Sequence, residues 1–363
     1  MEFTGFTHGM GIGGWLTNYK RFNVLPREWR MPLSPGDFEH FETYITRRDI
    51  DYIAELGMDH VRLGFDQIVL EEKPGVYREN ILRIIDRFIG WCEDAGLNVV
   101  LNLHKAIGNY CDIAEEVSLM DSAELRENFI ALWKMLERRY HDRPALVFEL
   151  LNEVRDNVDP ECWNALAEKS ILALREINPL RRIIIGGISY NSPSALKTLK
   201  VFEDPNVIYT FHCYAPYEFT HQRGVLHAAV LYYNRTMPYP GDIDRYRDFH
   251  RFVFGTGDPY PNRKVMDRAF LREVLTPAFQ FVREHPDKIL WCGEFGTIRH
   301  CGIEYRENYM RDVISLCLEH GIPYCVWNYL STPNDGNRFS LVDDDTRKIL
   351  SDEMGRIIRG EVC

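Results

Sequence analysis

The stretch "ENILRIIDRFIGWCEDAGLNVVLNLH", residues 79–104, joins two patterns that indicate the fold of the chain. Its first part places apolar residues at intervals of three and four, which is typical of an amphipathic helix. Its last part, residues 98–104, is a nearly continuous apolar run, as expected of a strand buried on both faces of a parallel sheet. A helix followed directly by such a strand is the repeating unit of an α/β protein.

The same alternation recurs along the chain. Helical periodicity is also present in "SAELRENFIALWKMLERRYH" (122–141), with a capping-box pattern at Asp121 and Glu124, and in "ECWNALAEKSILALREIN" (161–178), after an Asp159–Pro160 N-cap. Eight apolar runs predict strands: "GMGIGGWL" (9–16), "HVRLGF" (60–65), "NVVLNLH" (98–104), "ALVFELLNE" (145–153), "RRIIIGG" (181–187), "VIYTFHCY" (207–214), "KILWCGEFG" (288–296) and "YCVWNYL" (324–330).

Eight strands that alternate with helices predict an α/β fold of the (β/α)8 TIM barrel type, formed by residues 1–363 as one domain. An open doubly wound sheet is the alternative, and the lack of a GxGxxG fingerprint after a strand weakens it. Residues 215–263 form a connection far longer than usual. Because they follow the sixth strand, we expect them to cover the C-terminal face of the barrel as a cap; a surface excursion unrelated to the substrate is the alternative.

The composition excludes several classes of protein. Of the 363 residues, 45% are hydrophobic and 27% are charged, which argues against a disordered chain. The formal net charge of -11 argues against nucleic-acid binding. Nine single cysteines without a CxxC pair argue against a disulfide framework and a zinc site. No signal peptide or membrane span is recognisable, so we expect a cytoplasmic monomer, or a secreted protein if a leader has been removed.

Polar residues gather at one end of the predicted strands. In a barrel these C-terminal ends meet at one rim, so residues distant in sequence can share a pocket. The residues concerned are Arg62, His104, Asn152, Glu153, His212, Tyr214, Glu294 and Trp327.

Two of these residues, Glu153 and Glu294, are carboxylates. Cleavage of a glycosidic bond requires such a pair, one group to protonate the leaving oxygen and the other to attack the sugar or activate water. Either carboxylate could instead be half of a structural ion pair with Arg62. His104 and His212 could also be metal ligands, but a metallohydrolase typically needs more His and Asp at neighbouring strand ends, so we expect no metal.

The neighbouring residues suit supporting roles. Tyr214 could donate a hydrogen bond to the attacking carboxylate, and the charge of Arg62 could keep that carboxylate ionised. Trp327 offers an apolar face for a sugar ring. Gly293 and Gly296, on either side of Glu294, would leave room for substrate and backbone.

Strand alternation adds a prediction about the layer below. If Glu153 faces the barrel interior, Glu149 does as well, and an inward His104 implies an inward Asn102. We therefore expect Glu149 and Asn102 to form a polar layer beneath the catalytic residues, paired with Arg62 or with a buried water.

The ordered motifs "HVRLGF", "NLH", "FELLNEV", "FHCY", "CGEFG" and "VWNY" resemble those of glycoside hydrolase family 5 of clan A, from "GIGGW" to the last strand. Within the family, "GGW", "DHVRL", "ELLNEV" and "YNSP" look closest to bacterial endoglucanases that act on β-1,4-glucan and mixed-linkage glucan. The long loop after the sixth strand is similar to a helical cap of those enzymes.

The resemblance implies a retaining double displacement in which Glu153 is the general acid/base and Glu294 the nucleophile, without a metal or organic cofactor. Retention in turn predicts carboxyl groups roughly 5 to 5.5 Å apart. The resemblance also implies a substrate-binding and supporting set: Arg62, His104, Asn152, as a ligand of the sugar 2-hydroxyl, His212, Tyr214, Trp327 and, from "GIGGW", Trp15.

The chain departs from the family pattern at two positions. Lys105 follows the His of the third strand, where many members have a second His or a Gly, and Val154 replaces the Pro of NEP. We expect the Lys105 ammonium to lie solvated on the rim, with hydrogen bonding to sugar hydroxyls as the alternative.

The expected activity is internal cleavage of β-1,4-glucosidic bonds in cellulose or mixed-linkage β-glucan. The same chemistry on β-mannan, xyloglucan or β-1,3-glucan is an alternative, because specificity depends on loop geometry. A non-catalytic carbohydrate-binding barrel is a more distant alternative, since such proteins usually lack one of the two carboxylates.

Overall fold

The computed structural model describes residues 3–17, 33–109, 118–332 and 335–361. Eight strands form a closed barrel in which every strand pairs in parallel with the next and the last pairs with the first. The strands are β1 (His8–Leu16), β2 (His60–Asp66), β3 (Asn98–Lys105), β4 (Leu146–Glu149), β5 (Ile183–Gly186), β6 (Val207–Cys213), β7 (Ile289–Phe295) and β8 (Tyr324–Val326). The predicted barrel is confirmed, although β4 and β8 end four residues earlier than their apolar runs.

Helices surround the barrel and cover the outer faces of its strands. A continuous apolar layer lies between strands and helices, as the near-continuous apolar runs of the strands predict. The helices are Pro35–Thr43, Arg47–Glu55, Gln67–Leu70, Glu79–Asp94, Ala123–Tyr140, Pro160–Arg175, Tyr217–Thr220, Ala228–Tyr233, Ile243–Phe254, Arg268–Glu284, Ile303–Glu319 and Asp352–Ile358, with a 3₁₀ turn at Pro193–Thr198.

The helix caps follow the sequence pattern with one difference. Asp159 is the N-cap of its helix and accepts a hydrogen bond from the backbone N–H of Glu161, with Pro160 in the first turn, as predicted. The predicted capping box at Asp121 and Glu124 is wrong, because Ser122 is the N-cap and accepts from the N–H of Leu125. The two candidate caps are adjacent, and the helix starts one residue later than the pattern indicates.

The inside of the barrel is apolar at one end and polar at the other. A cluster of inward residues, Val100, Val147, Ile184, Ile208, Trp291 and Cys325, is closed from below by the N-terminal residues Phe3 and Phe6. The rings of Phe3 and Phe6 stack with their centroids 4.3 Å apart. The polar side chains lie above this plug, toward the C-terminal ends of the strands, so the pocket has a solid floor.

The insertion after β6 folds into short elements of its own. Helices Tyr217–Thr220, Ala228–Tyr233 and Ile243–Phe254 follow one another, and the strands Gly241–Asp242 and Val265–Met266 pair antiparallel. A second small ribbon joins Glu71–Lys73 to Val76–Tyr77. The insertion therefore closes at Met266, three residues beyond the predicted boundary.

The described cysteines are all unpaired, which agrees with the sequence argument against a disulfide framework; Cys111 and Cys363 lie outside the described residues.

Within the described ranges, none of the helices combines the length and apolar character that a membrane span requires.

Candidate active site

A pocket of about 1170 Å³ opens at the C-terminal ends of the strands. Its lining comes from several strand ends, from the insertion and from the loop after β8. Seven of the residues predicted from the sequence line it: His104, Asn152, Glu153, His212, Tyr214, Glu294 and Trp327. Arg62 lies fully buried, out of reach of solvent.

Arg62 connects the polar layer to the catalytic layer. Its guanidinium donates to both carboxylate oxygens of Glu149, from Nε at 2.5 Å and from Nη2 at 2.9 Å. Nη2 also donates to Oδ1 of Asn152 at 2.8 Å, and Nη1 donates to Oε1 of Glu294. Burial opposes the charged form, but the charges of Glu149 and Glu294 hold the pKa of Arg62 well above its usual value. Arg62 is therefore a permanent cation between two carboxylates.

The predicted polar layer is confirmed for Glu149, which is inward and paired with Arg62. Its register partner on β3, Asn102, accepts a hydrogen bond from Nδ1 of His104 at 3.0 Å. Burial is the main reason that the pKa of His104 lies well below its usual value, and the positive charge of Arg62 adds to the effect. A neutral His104 with its proton on Nδ1 fits this bond.

Glu294 is held by donors on both carboxylate oxygens. Arg62 donates to Oε1, and the Tyr214 hydroxyl donates to Oε2 at 2.8 Å. Burial raises the pKa of Glu294, while the charge of Arg62 and the Tyr214 hydrogen bond oppose that increase. Burial and the neighbouring Glu294 charge raise the pKa of Tyr214 well above its usual value, so Tyr214 remains a donor.

Glu153 follows the end of β4 and has different surroundings. The strand ends at Glu149, so its alternation does not extend to Glu153, whose backbone is in the left-handed region with φ of 45°. Asn152 and Glu153 can therefore both reach the site although they are adjacent. Nδ1 of His212 lies 2.9 Å from Oε1 of Glu153. One oxygen of Glu153 and one of Glu294 lie within 4.8 Å of each other.

His212 is oriented from below by Asn191. Burial lowers the pKa of His212 to about 4, so the ring is neutral at pH 7. Nε2 lies 3.4 Å from Nδ2 of Asn191, which can only donate, so Nε2 is the acceptor and Nδ1 carries the proton. His212 thus donates to Glu153, and Asn191 selects the tautomer that does so.

Trp327 stacks on His104, with ring centroids 5.4 Å apart and planes 7° from parallel. Its indole occupies space that β1 leaves open, because a Cβ on Gly11 or Gly13 would lie 2.6–2.7 Å from the ring. The glycines of "GIGGW" therefore accommodate the aromatic wall of the pocket.

Two expectations about site residues are wrong. Trp15 is fully buried outside the pocket, where its indole N–H donates to the carbonyl of Phe41 at 2.8 Å. The apolar ring points to the helices because β1 alternates. Lys105 lines the pocket but is 1% exposed, so the expected solvated ammonium is not found.

Atoms of neighbouring strands occupy the space next to Gly293 and Gly296, the two glycines near Glu294. A Cβ on Gly296 would lie 2.1 Å from the carbonyl oxygen of Trp327, and one on Gly293 would lie 2.5 Å from Oγ1 of Thr210. The expectation of room for substrate and backbone is therefore right for the backbone and wrong for the substrate: the two glycines allow β7 to approach β6 and the end of β8 closely.

Glu153, His212 and Glu294 can each bring one atom to a common point, which raises the question of a metal. Both oxygens of Glu294 already accept hydrogen bonds, one of them from a guanidinium. A divalent cation there would have to displace these donors and lie close to a permanent positive charge. The donor set therefore suits a carboxylate pair better than a metal centre.

Several residues that line or support the pocket were not predicted from the sequence. Tyr190 and Asn191 belong to "YNSP", which contributed only to the resemblance. The insertion adds a ring cluster in which Tyr217 stacks on His221 at 4.8 Å and His227 lies 4.7 Å from Tyr217. On the loop after β8, Oδ1 of Asn337 accepts from the N–H of Leu226 at 3.0 Å, which ties that loop to the insertion. None of these contacts leaves a periodic pattern in the sequence from which it could be predicted.

Comparison with known proteins identifies the family of the chain. The model of the cellulase family, glycosyl hydrolase family 5, matches residues 28–332. The chain is 36% identical to Endoglucanase C of Acetivibrio thermocellus, over 97% of this chain and 98% of that one. It is 29% identical to Cellodextrinase A of Ruminococcus flavefaciens, over 89% and 85% of the two chains.

Among solved structures, Cel5A of Thermotoga maritima in complex with cellobiose superposes with a TM-score of 0.73, covering 97% of both chains at 24% identity. This likeness supports the barrel fold. The family match and the relative at 36% identity confirm the resemblance that the strand-end motifs indicated. The chain belongs to glycosyl hydrolase family 5, the cellulase family, and is a glycoside hydrolase.

Proposed function

We propose that this glycoside hydrolase cleaves β-1,4-glucosidic bonds within glucan chains by a retaining double displacement. The observation that carries the proposal is the pair Glu153 and Glu294. These residues have oxygens within 4.8 Å of each other, and they differ in the groups that donate hydrogen bonds to them. So close a pair favours direct attack, since inverting enzymes keep their carboxyl groups about 6.5–9.5 Å apart to admit a water.

In the first step, Glu294 attacks the anomeric carbon as the carboxylate. The C–O bond to the leaving sugar breaks, and Glu153 gives its proton to the departing oxygen. Arg62 and Tyr214 hold Glu294 in place and keep it ionised despite its burial. The product of this step is an ester between the sugar and Glu294.

In the second step, Glu153, now a carboxylate, removes a proton from water, and the water oxygen attacks the anomeric carbon. The ester bond breaks, and Glu294 leaves as the carboxylate. Glu153 regains its proton, so the enzyme returns to its starting state. His212 donates to Oε1 of Glu153 and so orients the carboxyl group that carries the proton.

The remaining residues position the sugar. The Nδ2 amide of Asn152 can contact a sugar hydroxyl because Oδ1 is fixed by Arg62. Trp327, with His104 behind it, provides the face on which the ring in the cleavage subsite stacks. We further propose that the beginning of the insertion, Ala215 to His227, is the part of the cap that contacts substrate, since its residues line the pocket.

The substrate assignment rests on a relative named an endoglucanase that aligns along nearly all of both chains. Mannan, xyloglucan and β-1,3-glucan are the alternatives with the same chemistry. Reducing-sugar release from carboxymethylcellulose, barley glucan, lichenan, laminarin and mannan separates them. Fastest release from barley glucan or carboxymethylcellulose supports the proposal, and fastest release from laminarin or mannan would replace it.

The two carboxylates should differ in their response to the leaving group. Glu153→Gln should lower kcat/KM for cellotetraose by about 10³-fold, because general acid catalysis is lost. Its effect on β-cellobiosyl fluoride should be much smaller, since fluoride departs without a full proton. Glu294→Gln should abolish turnover of both substrates. Equal losses on both substrates for Glu153→Gln would contradict the acid/base assignment.

Tyr214→Phe removes a hydrogen bond that stabilises the charged form of Glu294. The pKa of Glu294 should then rise, and because Glu294 must be ionised to attack, activity should disappear at a higher pH as the solution is acidified. We expect the acid limb of kcat/KM to move up by about one pH unit. A pH profile with an unmoved acid limb would argue against Glu294 as the titrating nucleophile.

Glu149→Gln should shift the same limb in the opposite direction. Removing the negative charge of Glu149 leaves the charge of Arg62 less balanced, which favours ionised Glu294 and lowers its pKa. The acid limb should move down by about 0.5 pH unit. Loss of a buried ion-pair partner should also lower the free energy of unfolding by about 3 kcal/mol.

Glu137→Gln is the matched control. Glu137 is fully buried and pairs with Arg181 through two hydrogen bonds of 2.7 and 3.1 Å, and neither residue lines the pocket. This variant should lose a similar amount of stability without moving the pH profile. If both variants move the limb equally, the shift reflects general destabilisation.

A further inference from the structure

We propose that Asn191 is a positioning residue for the proton transfers of Glu153, on which it acts through His212. The inference rests on the proposed function, because it takes Glu153 as the acid/base. Asn191 lies in the turn after β5, is fully buried and does not line the pocket. Its effect on the reaction is therefore indirect: it determines which nitrogen of His212 presents a proton to the catalytic carboxyl groups.

The two ring nitrogens of His212 have different surroundings. Nδ1 lies 2.9 Å from Oε1 of Glu153 and 3.8 Å from Oε2 of Glu294, so it faces both catalytic carboxyl groups. Nε2 lies on the other side of the ring, 3.4 Å from Nδ2 of Asn191. Donation from the amide to Nε2 leaves the single proton of the neutral ring on Nδ1. This tautomer places an N–H between the two carboxyl groups, whereas the other tautomer would place a lone pair there.

The choice of tautomer affects both steps of the proposed reaction. In the first step Glu153 must give its proton to the leaving oxygen, and an unprotonated Nδ1 would compete for that proton as a second acceptor. In the second step Glu153 is a carboxylate. An Nδ1–H at 2.9 Å stabilises that carboxylate, whereas a lone pair at the same distance would repel it. The protonated Nδ1 that Asn191 selects is therefore required in both directions of proton transfer.

The end of β5 leaves space for the Asn191 amide. Ile184 belongs to the inward cluster of the barrel, so alternation directs position 186 inward as well. That position is Gly186, where a Cβ would lie 2.4–2.6 Å from the side-chain atoms of Asn191. The inward space at the end of β5 is thus filled by an amide that belongs to the following turn.

The backbone of that turn fixes where the amide lies. Ser189, Tyr190 and Asn191 are left-handed, with φ of 54°, 58° and 55°. Asn is among the residues other than glycine that adopt this conformation most readily, and such positions persist where the surroundings enforce them. The N–H of Tyr190 donates to the carbonyl of Val154 at 2.9 Å, which ties the turn to the residue after Glu153. The acid/base and the amide that acts on it are therefore held by one set of contacts.

The tautomer can be read directly by ¹⁵N NMR of enzyme labelled at histidine, at pH 7. His212 should show a protonated Nδ1 and an unprotonated Nε2, with its signals assigned by their loss in His212→Gln. Asn191→Asp keeps the shape of the side chain but replaces the N–H donor with a carboxylate acceptor, so Nε2 should become protonated. A proton on Nε2 in the unaltered enzyme would overturn the proposal.

The kinetic test separates proton transfer from general damage to the pocket. In Asn191→Gly the backbone keeps its left-handed conformation without strain and only the amide is lost. The ratio of kcat/KM for cellotetraose to kcat/KM for β-cellobiosyl fluoride should fall about tenfold, because fluoride departs without a full proton. Equal losses on the two substrates would mean that Asn191 only supports the shape of the pocket, and would overturn the proposal.

Gly186→Ala tests the same contact without changing Asn191. The added methyl group would overlap the amide, so the amide must move away from its present position. The substrate ratio should fall as it does for Asn191→Gly. An unchanged ratio in both variants would contradict a positioning role.

Thr210→Val is the matched control. Thr210 is fully buried on β6, one inward position below His212, and its hydroxyl has no hydrogen-bond partner among the described residues. Valine has nearly the same shape, so this variant should change neither the ¹⁵N pattern nor the substrate ratio. If it lowers the ratio as Asn191→Gly does, the effect belongs to the buried layer in general and the proposal is wrong.

Failure of the proposed function has a different signature. An unaltered enzyme that hydrolyses neither cellotetraose nor the fluoride would refute the proposed function, whereas the ¹⁵N pattern would still report whether Asn191 fixes the tautomer of His212.

Discussion

The buried guanidinium of Arg62 is the group on which the active site depends. A charge without access to solvent is costly unless it is paired and fully hydrogen-bonded, and Arg62 meets that requirement with Glu149, Glu294 and Asn152. These residues come from three different strands or strand ends, so the barrel must close correctly for the charge to be satisfied. The plug of apolar side chains lies below this layer, and apolar surroundings strengthen electrostatic coupling between buried charges.

Because Arg62 and Tyr214 contact Glu294 and not Glu153, the two carboxylates are chemically distinct. Glu294 is buried and surrounded by donors that stabilise its anion. Glu153 faces the pocket, with a neutral imidazole donor on one oxygen, and is the group that exchanges a proton with substrate or water in the proposed mechanism. The proposed division of roles between nucleophile and acid/base thus follows from which carboxylate the guanidinium contacts.

Much of this was predictable because it depends on strand periodicity. The eight apolar runs predicted the barrel. The convergence of their C-terminal ends predicted which residues line the pocket, and side-chain alternation along the strand predicted that Glu149 points inward. Other features depend on contacts between segments that no local pattern records. The burial of Lys105 is set by neighbouring segments, and Trp15 was grouped with a motif whose glycines, not its tryptophan, serve the site. Tyr190 and Asn191 were missed because three non-glycine residues in the left-handed region leave no signal in composition or spacing.

Trapping of the covalent intermediate tests the account most directly. A 2-deoxy-2-fluoro-β-cellobiosyl fluoride should inactivate the enzyme by forming a long-lived ester, and mass spectrometry of a digest should find one added fluorocellobiosyl group on the peptide containing Glu294. Label on Glu153, or turnover of the reagent with no accumulated ester and with inversion at the anomeric carbon, would contradict the assignment of Glu294 as the nucleophile held by Arg62.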